Sequence, residues 1–265
     1  MAIQTGNIKY RGSFKNIRQY MNLHDPNSYA GEKGGANGDL IKNNPAFART
    51  RENMNEFNGC GLAVKAIRHG LMNLLPEQTD KKFTGRLMKL VKSINVNDAV
   101  GSHGKRAIAF SSDRPLLKDK FVFNLLQTFA IMLKNFFTVV HPISRAEATL
   151  TVTALAIKKA YAPKTASHYR VLNHLSIISD YEYSEANRSY EPLSSLNTLS
   201  AFTYSEYTPI ETALTHDLVA SFPVGTVLTD DVSVIQVVGI EFYLKSGATD
   251  YLPLQESSMF VIDVF

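Results

Sequence analysis

The chain has 265 residues, of which 45% are apolar, and it carries 28 Lys and Arg against 24 Asp and Glu, so it is long enough for one large domain or two small ones. Its single cysteine, Cys60, excludes an intrachain disulfide and a cysteine-rich zinc module. No run of about 18 apolar residues is present and residues 1–18 contain no apolar signal segment, so we expect no membrane insertion and, without a Sec-type signal, synthesis in the cytoplasm with an assembled particle as one final location.

Residues 1–44 are rich in Gly, Asn and basic residues and poor in apolar ones. Short apolar alternations around the turn formers Gly12-Ser13 and Lys15-Asn16 predict a small hairpin. Residues 25–28 and 31–39 contain turn formers and few apolar anchors, which is typical of an extended loop or arm. Because one hairpin cannot form a core by itself, we expect an N-terminal arm over residues 1–44 that becomes ordered against something else.

A helical region is expected over residues 45–118. Pro45 suits the first helical turn, with Asn44 as its cap, and Pro76 ends the first helical pattern. The interruption Gly59-Cys60-Gly61 predicts that this first helix is kinked or divided. The apolar residues of the pattern are Phe47, Met54, Phe57, Val64, Ile67, Leu71 and Leu74.

A second helix is expected to begin near Thr79 or Asp80, with an apolar stripe on one side and a basic face on the other. The stripe contains Phe83, Leu87, Leu90, Val91 and Ile94, and the basic face contains Lys81, Lys82, Arg86, Lys89 and Lys92. The candidate contacts for an anion or a partner in this region are Lys82, Arg86, Lys89, Lys105 and Arg106. A charged stripe opposite an apolar face is also usual in a solvated helix, so both interpretations stay open.

Strand patterns dominate residues 119–265. Residues 149–154 alternate threonines with apolar residues, which is typical of a strand with one exposed face. Val232–Lys245 is apolar on both faces, as a central strand is, and further strands are expected over 169–183 and 260–264. Because no helical patterns separate these strands, we predict an α+β fold in which the N-terminal arm or hairpin and the helical segment precede an antiparallel β-sandwich-like domain.

The residues that could carry chemistry form no known catalytic pattern. Gly101–Arg106 is similar to a phosphate-binding loop, but its glycines lie three apart and Arg106 follows the lysine, which favours a plain basic loop. Cys60 has no base beside it in sequence, so burial as a small helical residue is favoured. His168 and His174 would lie about 20 Å apart along a strand, too far to chelate one ion. We therefore expect no catalytic residue, no metal site and no cofactor, and a protein that is not an enzyme.

Four motifs lie in a consistent order along most of the chain. They are Glu32-Lys33-Gly34-Gly35, the run 44–53 followed by Glu56-Phe57, His168-Tyr169-Arg170, and the run 239–243 followed by Tyr251-Leu252-Pro253-Leu254. In these motifs the chain resembles a group of uncharacterised proteins that recurs in Bacteroidetes genomes. The resemblance implies one coherent protein, and because no activity is established for that group it implies no catalytic residue.

The charge is unevenly distributed along the chain. Residues 1–120 contain 20 Lys and Arg against 10 Asp and Glu, whereas residues 121–265 contain 8 against 14. A basic half indicates either an anionic partner such as nucleic acid or the acidic half of a neighbouring copy. Tyrosines are concentrated in the acidic half, which favours contacts with proteins.

The leading hypothesis is therefore a self-assembling structural protein that forms a homo-oligomer or polymer. It would be the subunit of a filament, tube or shell, with head-to-tail contacts and with the N-terminal arm on a neighbour. The alternative is a nucleic-acid-associated protein that uses the basic helix. A third hypothesis is a carbohydrate-binding module or an enzyme built on the β-sandwich.

Overall fold

The computed structural model describes residues 2–6, 8–21, 25, 27–71, 79–125, 133–254 and 257–265. Contacts within the chain group it into two units, Met1–Arg51 and Glu52–Phe265. The strands are β1 (Ala2–Ile3), β2 (Gly12–Phe14), β3 (Ile17–Met21), β4 (Ser28–Glu32), β5 (Phe137–Val140), β6 (Glu147–Leu155), β7 (His168–Ser179), β8 (Tyr181–Ser184), β9 (Ser189–Pro192), β10 (Ser200–Tyr204), β11 (Thr208–Pro209), β12 (Leu214–Ser221), β13 (Val232–Lys245), β14 (Tyr251–Pro253) and β15 (Ser258–Val264). The helices are α1 (Gly38–Asn43), α2 (Ala48–Gly70), α3 (Phe83–Asn97) and α4 (Arg114–Lys120), and 3-10 turns cover Pro45–Phe47, Lys134–Phe136 and Lys159–Tyr161.

The first unit contains a four-stranded antiparallel sheet in the order β1-β4-β3-β2. The predicted hairpin is confirmed as β2–β3, and Lys15 in its turn takes a φ of 49°, the left-handed conformation that tight hairpin turns use. Ser28, Gly31 and Glu32, expected in an extended loop or arm, lie in β4 instead. They do so because they pair with β3, where the rings of Tyr20 and Tyr29 stack with centroids 5.8 Å apart, and local composition does not show such a partner.

The structure contains the predicted cap before the first long helix but not the predicted division of that helix. The side-chain oxygen of Asn44 accepts the N–H of Ala46 at 2.9 Å, which confirms the cap. α2 then runs unbroken through Gly59-Cys60-Gly61, so the prediction that these residues divide it is wrong. A Cβ atom on Gly59 would lie only 2.4 Å from the ring of Tyr190, so this glycine permits close packing.

α3 packs its apolar stripe as predicted. The buried residues of this helix are Phe83, Leu87, Leu90, Val91, Ile94 and Asn95. Together with α2 and α4 they cover one face of a six-stranded sheet, in which β13 pairs with β7 on one side and with β14 and β15 on the other. The central position expected for Val232–Lys245 is therefore confirmed. Leu74 and Pro76, the predicted end of the first helical pattern, lie outside the described residues.

A three-stranded antiparallel sheet in the order β12-β6-β5 packs on the other face of the large sheet. Buried amides join the two sheets: Asn173 donates to the carbonyl oxygens of Ala148 at 3.0 Å and Leu218 at 2.9 Å, and it accepts from Gln236 at 3.0 Å. Such bonds satisfy polar groups that the core would otherwise leave unpaired. The predicted α+β fold with an antiparallel sandwich is confirmed, with helices as a third layer. None of the described helices is long and apolar enough to span a membrane.

Candidate self-association surface

The sheet of the first unit has no apolar interior. Among the described residues up to Arg51, only Ser28 is buried. The exposed large apolar side chains of this sheet and of the β1–β2 connection are Ile3, Ile8, Tyr10, Phe14, Ile17 and Met21. A sheet that buries no apolar side chain gains little from the hydrophobic effect, and a group of exposed apolar side chains typically marks a binding surface.

The strand register places three of these side chains on one face. Phe14 pairs directly with Ile17 across the hairpin, and Met21 lies four residues further along β3, so all three project to the same side. Their exposed fractions are 70%, 46% and 38%. We call Phe14, Ile17 and Met21 the apolar face. Sequence reasoning identified hairpin residues but missed this face, because a register change of one residue would have moved Ile17 to the other side.

Basic residues lie on both faces of the N-terminal sheet. Arg11 donates to the sulfur of Met21 at 2.9 Å, and the guanidinium of Arg18, on the opposite face, lies 5.5 Å from the centroid of the Tyr20 ring. Residues 1–51 contain 8 Lys and Arg against 3 Asp and Glu. The apolar face therefore belongs to a unit of positive net charge, which favours an acidic partner surface.

The predicted anion contacts on α3 and at Lys82, the residue just before it, are not equally free. Lys82 and Lys89 are exposed. Arg86 is held within the fold: one of its guanidinium nitrogens pairs with Asp80 at 2.8 Å and the other donates to two backbone carbonyls at 2.8 and 3.1 Å. A row of three side chains that are all available to phosphates is therefore not present on this helix.

Lys105 and Arg106 also contact acidic side chains. Lys105 forms an ion pair with Glu185, and Arg106 donates twice at 2.8 Å to Glu56, which also binds Lys92 and a backbone N–H. Burial by itself would raise the pKa of Glu56. The hydrogen bonds from Arg106, Lys92 and the backbone outweigh that effect and lower the pKa to about 2. The ionised carboxylate is fully paired, so it ties α2 to α3 and to the following loop and is not available as an acid or a base.

A second polar cluster lies on β7 and β13 and joins the third and fourth sequence motifs. Arg170 and Glu241 are directly paired across these strands and form an ion pair of 2.9 Å. The guanidinium lies 3.6 Å from the centroid of the Tyr204 ring, and Tyr204 and Tyr243 donate to Glu241 at 3.2 and 2.5 Å. Because the charged and hydroxyl groups bind one another, the cluster provides a fixed aromatic surface and no free acid or base.

The cysteine and the central histidine lie in the core. Cys60 is fully buried, as predicted, and burial raises the pKa of its thiol to about 11. His174 is buried in β7 with one ring nitrogen 2.9 Å from the carbonyl oxygen of Gly70. Within the part of the chain that the structure describes, no group of three or more His, Cys, Asp or Glu residues is placed to hold a metal ion.

Comparisons with known proteins add no relative. No protein-family model matches the chain, and neither the search of curated proteins nor the search of solved structures found a match.

Proposed function

We propose that this protein is a self-assembling structural protein in which the N-terminal sheet of one copy binds a neighbouring copy. Repetition of that head-to-tail contact would build a filament, tube or shell. The observation that carries the proposal is the apolar face of Phe14, Ile17 and Met21, exposed on a sheet that buries no apolar side chain. Small sheets of this kind need packing against another surface for stability, and a neighbouring copy supplies one at every step of an assembly.

Charge supports a contact between unlike surfaces. Residues 1–51 have a net charge of +5, and residues 121–265 have a net charge of −6. A contact of the N-terminal sheet with itself would bring two positive units together, whereas a contact with the acidic half of the next copy is attractive. Contacts between two different surfaces continue into rings or open polymers. The strand edges support the same role, because β1 and β2 lie at the ends of the sheet order and unpaired edges invite pairing with another chain.

The other two hypotheses have weaker support in the geometry. Nucleic-acid binding through the basic helix loses Arg86 and Arg106 to internal partners. Carbohydrate binding would use the aromatic cluster, in which the hydroxyls of Tyr204 and Tyr243 are already bound to Glu241. Neither of these surfaces belongs to a sheet without buried apolar side chains, as the apolar face of the N-terminal sheet does.

The test is a triple substitution, Phe14→Thr, Ile17→Thr and Met21→Thr, which removes the apolar face and keeps residues that favour strands. We expect the parent protein to form large particles in light scattering and the variant to remain small at the same concentration. The matched control replaces three exposed apolar residues of the second unit, Val100, Leu193 and Leu252, by threonine, and it should assemble like the parent. A parent protein that stays monomeric at all concentrations, or a triple variant that assembles normally, would refute the proposal.

A further inference from the structure

The outer face of the three-stranded sheet is a second exposed surface that the fold does not cover. Val140 and Val219 each pair with Thr149, one on either side, so the three form a row across β5, β6 and β12. Thr138, Thr151 and Asp217 form the next row in the same way. The exposed fractions of Val140 and Val219 are 68% and 46%. Apolar and threonine side chains alternate with the buried ones along these strands, so this face is exposed to solvent.

Two loop tips extend this apolar row at one end of the sheet. Ile143 follows β5 and Val224 follows β12, and the N–H of Phe222 bonds the carbonyl oxygen of Ala146 at 2.9 Å, so both loops leave from the same end. Ile143 and Val224 are completely exposed. Isolated exposed apolar residues need no explanation, but a row that continues into two apolar loop tips is a patch of the kind that binds other proteins. We call Val140, Ile143, Val219 and Val224 the valine row.

The surroundings of the valine row are acidic. The strands β5, β6 and β12 contain no Lys or Arg, and they contain Glu147 and Asp217, both exposed. The Lys or Arg nearest in sequence, Arg145, donates to the carbonyl oxygens of Val232 at 2.9 Å and Thr229 at 2.7 Å, so it is held against the fold. This surface therefore has the charge sign that the basic N-terminal unit requires.

We propose that the valine row on one copy receives the apolar face of the N-terminal sheet of the next copy. The inference rests on the proposed function and identifies the acceptor surface for the same contact. Both surfaces are faces of small antiparallel sheets, which pack together through interdigitating apolar side chains. Phe14, Ile17 and Met21 would lie over the valine row, with acidic Glu147 and Asp217 at the rim.

The size of the two sheets predicts the strength of the contact. With about 4.8 Å between strands and about 3.3 Å per residue, each small sheet presents a face of roughly 300 Å², against about 800 Å² per partner in an ordinary stable interface. A single contact is therefore weak, and the assembly gains strength from repetition and from the loop tips. Association should depend strongly on protein concentration.

Cross-linking between two different variants tests the contact directly. One variant carries Ile17→Cys and the other carries Val219→Cys, and a short bifunctional maleimide is added to the mixture. The buried native Cys60 does not compete, and each chain has one accessible thiol, so a product with both variants must join two copies. We expect this mixed product to exceed the products of either variant alone. Val100→Cys, at a valine that is 97% exposed on the loop after α3, replaces Val219→Cys in the control mixture and should give little product.

A second measurement changes the charge of the acceptor without touching the core. Ile143→Lys with Val224→Lys should raise the protein concentration needed for assembly by about tenfold or more, equivalent to a loss of about 1.4 kcal/mol of contact energy. The control, Val96→Lys with Val100→Lys, adds the same charge at the end of α3 and in the loop after it. It should change the protein concentration needed for assembly little.

The outcomes separate the two proposals. If the parent assembles but the lysine pair does not weaken assembly and no mixed product forms, the acceptor is wrong while self-assembly stands. If the parent does not associate at any concentration, both proposals are overturned.

Discussion

Gly59 of α2 lies directly against the ring of Tyr190 of β9, so closely that a Cβ atom at Gly59 would be 2.4 Å from two ring carbons. Gly70, at the end of the same helix, makes a similar approach, since a Cβ atom there would lie 2.0 Å from the hydroxyl oxygen of Ser176. The two glycines thus allow a long helix to contact the two-stranded sheet of β8 and β9 at one place and the large sheet at another. Their effect is on packing, and the helix between them is continuous.

Substitution of Gly59 by alanine should destabilise the protein. Alanine would improve helix propensity by about 1 kcal/mol, but the clash with the Tyr190 ring resembles core overpacking, which typically costs about 1–3 kcal/mol. We expect a lower free energy of unfolding in urea. Gly85→Ala is the matched control, because Gly85 lies within α3 and has nothing within 4 Å of its Cβ position; this variant should be stabilised by up to about 1 kcal/mol. Equal effects at both positions would contradict the packing explanation.

The helices and strands with a clear period of apolar residues were predictable from the sequence, whereas the elements against which they pack were not. Val232–Lys245 and the stripe of α3 were found because an apolar pattern reports burial directly. The helix is not divided at Gly59-Cys60-Gly61, because a glycine that breaks a helix and one that admits a neighbouring ring look the same in sequence. What a glycine contacts depends on a residue 131 positions away in the chain.

The partners of the candidate site residues were likewise not predictable from the sequence. Arg86 and Arg106 are residues of the type that binds phosphate. In the folded chain, however, Arg86 pairs with Asp80 and Arg106 pairs with Glu56. A glutamate in a helical pattern is expected at the surface, so the sequence does not indicate that Glu56 is buried. The apolar face likewise depends on strand register, which local composition left undetermined.

The buried carboxylate of Glu56 should be one of the most sensitive positions in the chain. Glu56→Gln removes the charge that balances Arg106 and Lys92 and keeps the side-chain shape, and loss of one member of a buried ion cluster typically costs about 3–5 kcal/mol. Urea unfolding at neutral pH measures this loss. Glu182→Gln, at an exposed position of β8, is the control and should change the free energy of unfolding by much less.

The same carboxylate should make the stability of the folded protein depend on pH in the acid range. Its pKa is about 2 in the folded chain against 4.5 for the ordinary group, so the unfolded chain binds the proton more readily. The stabilisation is therefore complete above pH 4.5 and is lost progressively as the pH falls from about 4.5 to about 2. In Glu56→Gln this part of the acid dependence should disappear, and an unchanged profile would contradict the network.

His174 should make the protein sensitive to pH in a higher range. Burial lowers the pKa of the imidazole to about 4, against the effect of its hydrogen bond with the Gly70 carbonyl. Because the unfolded chain binds this proton near pH 6.5, stability should fall as the pH decreases from about 6.5 to about 4, by up to about 3 kcal/mol. His174→Gln keeps a donor for the carbonyl and removes the titration. The difference in unfolding free energy between parent and variant should change between pH 7 and pH 5; a constant difference would argue against titration of this residue.

The basic residues of α3, together with Lys82 just before it, should separate into structural and solvated groups. Arg86→Gln removes an ion pair and two bonds to backbone carbonyls, so it should lower the free energy of unfolding by about 1–3 kcal/mol. Lys82→Gln with Lys89→Gln should leave stability within about 0.5 kcal/mol of the parent. If nucleic acid is the partner, this lysine pair should instead abolish salt-sensitive retention on a nucleic-acid column. No retention of the parent, or equal retention of the variant, would remove that hypothesis.

Salt should affect the rate of assembly more than the stability of finished particles. A closed twofold dimer would set the basic units of two copies against each other, whereas a head-to-tail contact sets a positive unit against an acidic half. Exposed ion pairs contribute only about 0–1 kcal/mol each and are screened over about 8 Å at physiological salt. Charge therefore guides encounter and orientation, while the apolar contacts of the N-terminal sheet supply most of the affinity. Light scattering after a concentration jump at low and high salt should show slower growth at high salt, and preformed particles moved to high salt should persist. Twofold dimers that neither grow nor respond to salt would contradict both the head-to-tail contact and the polymer built from it.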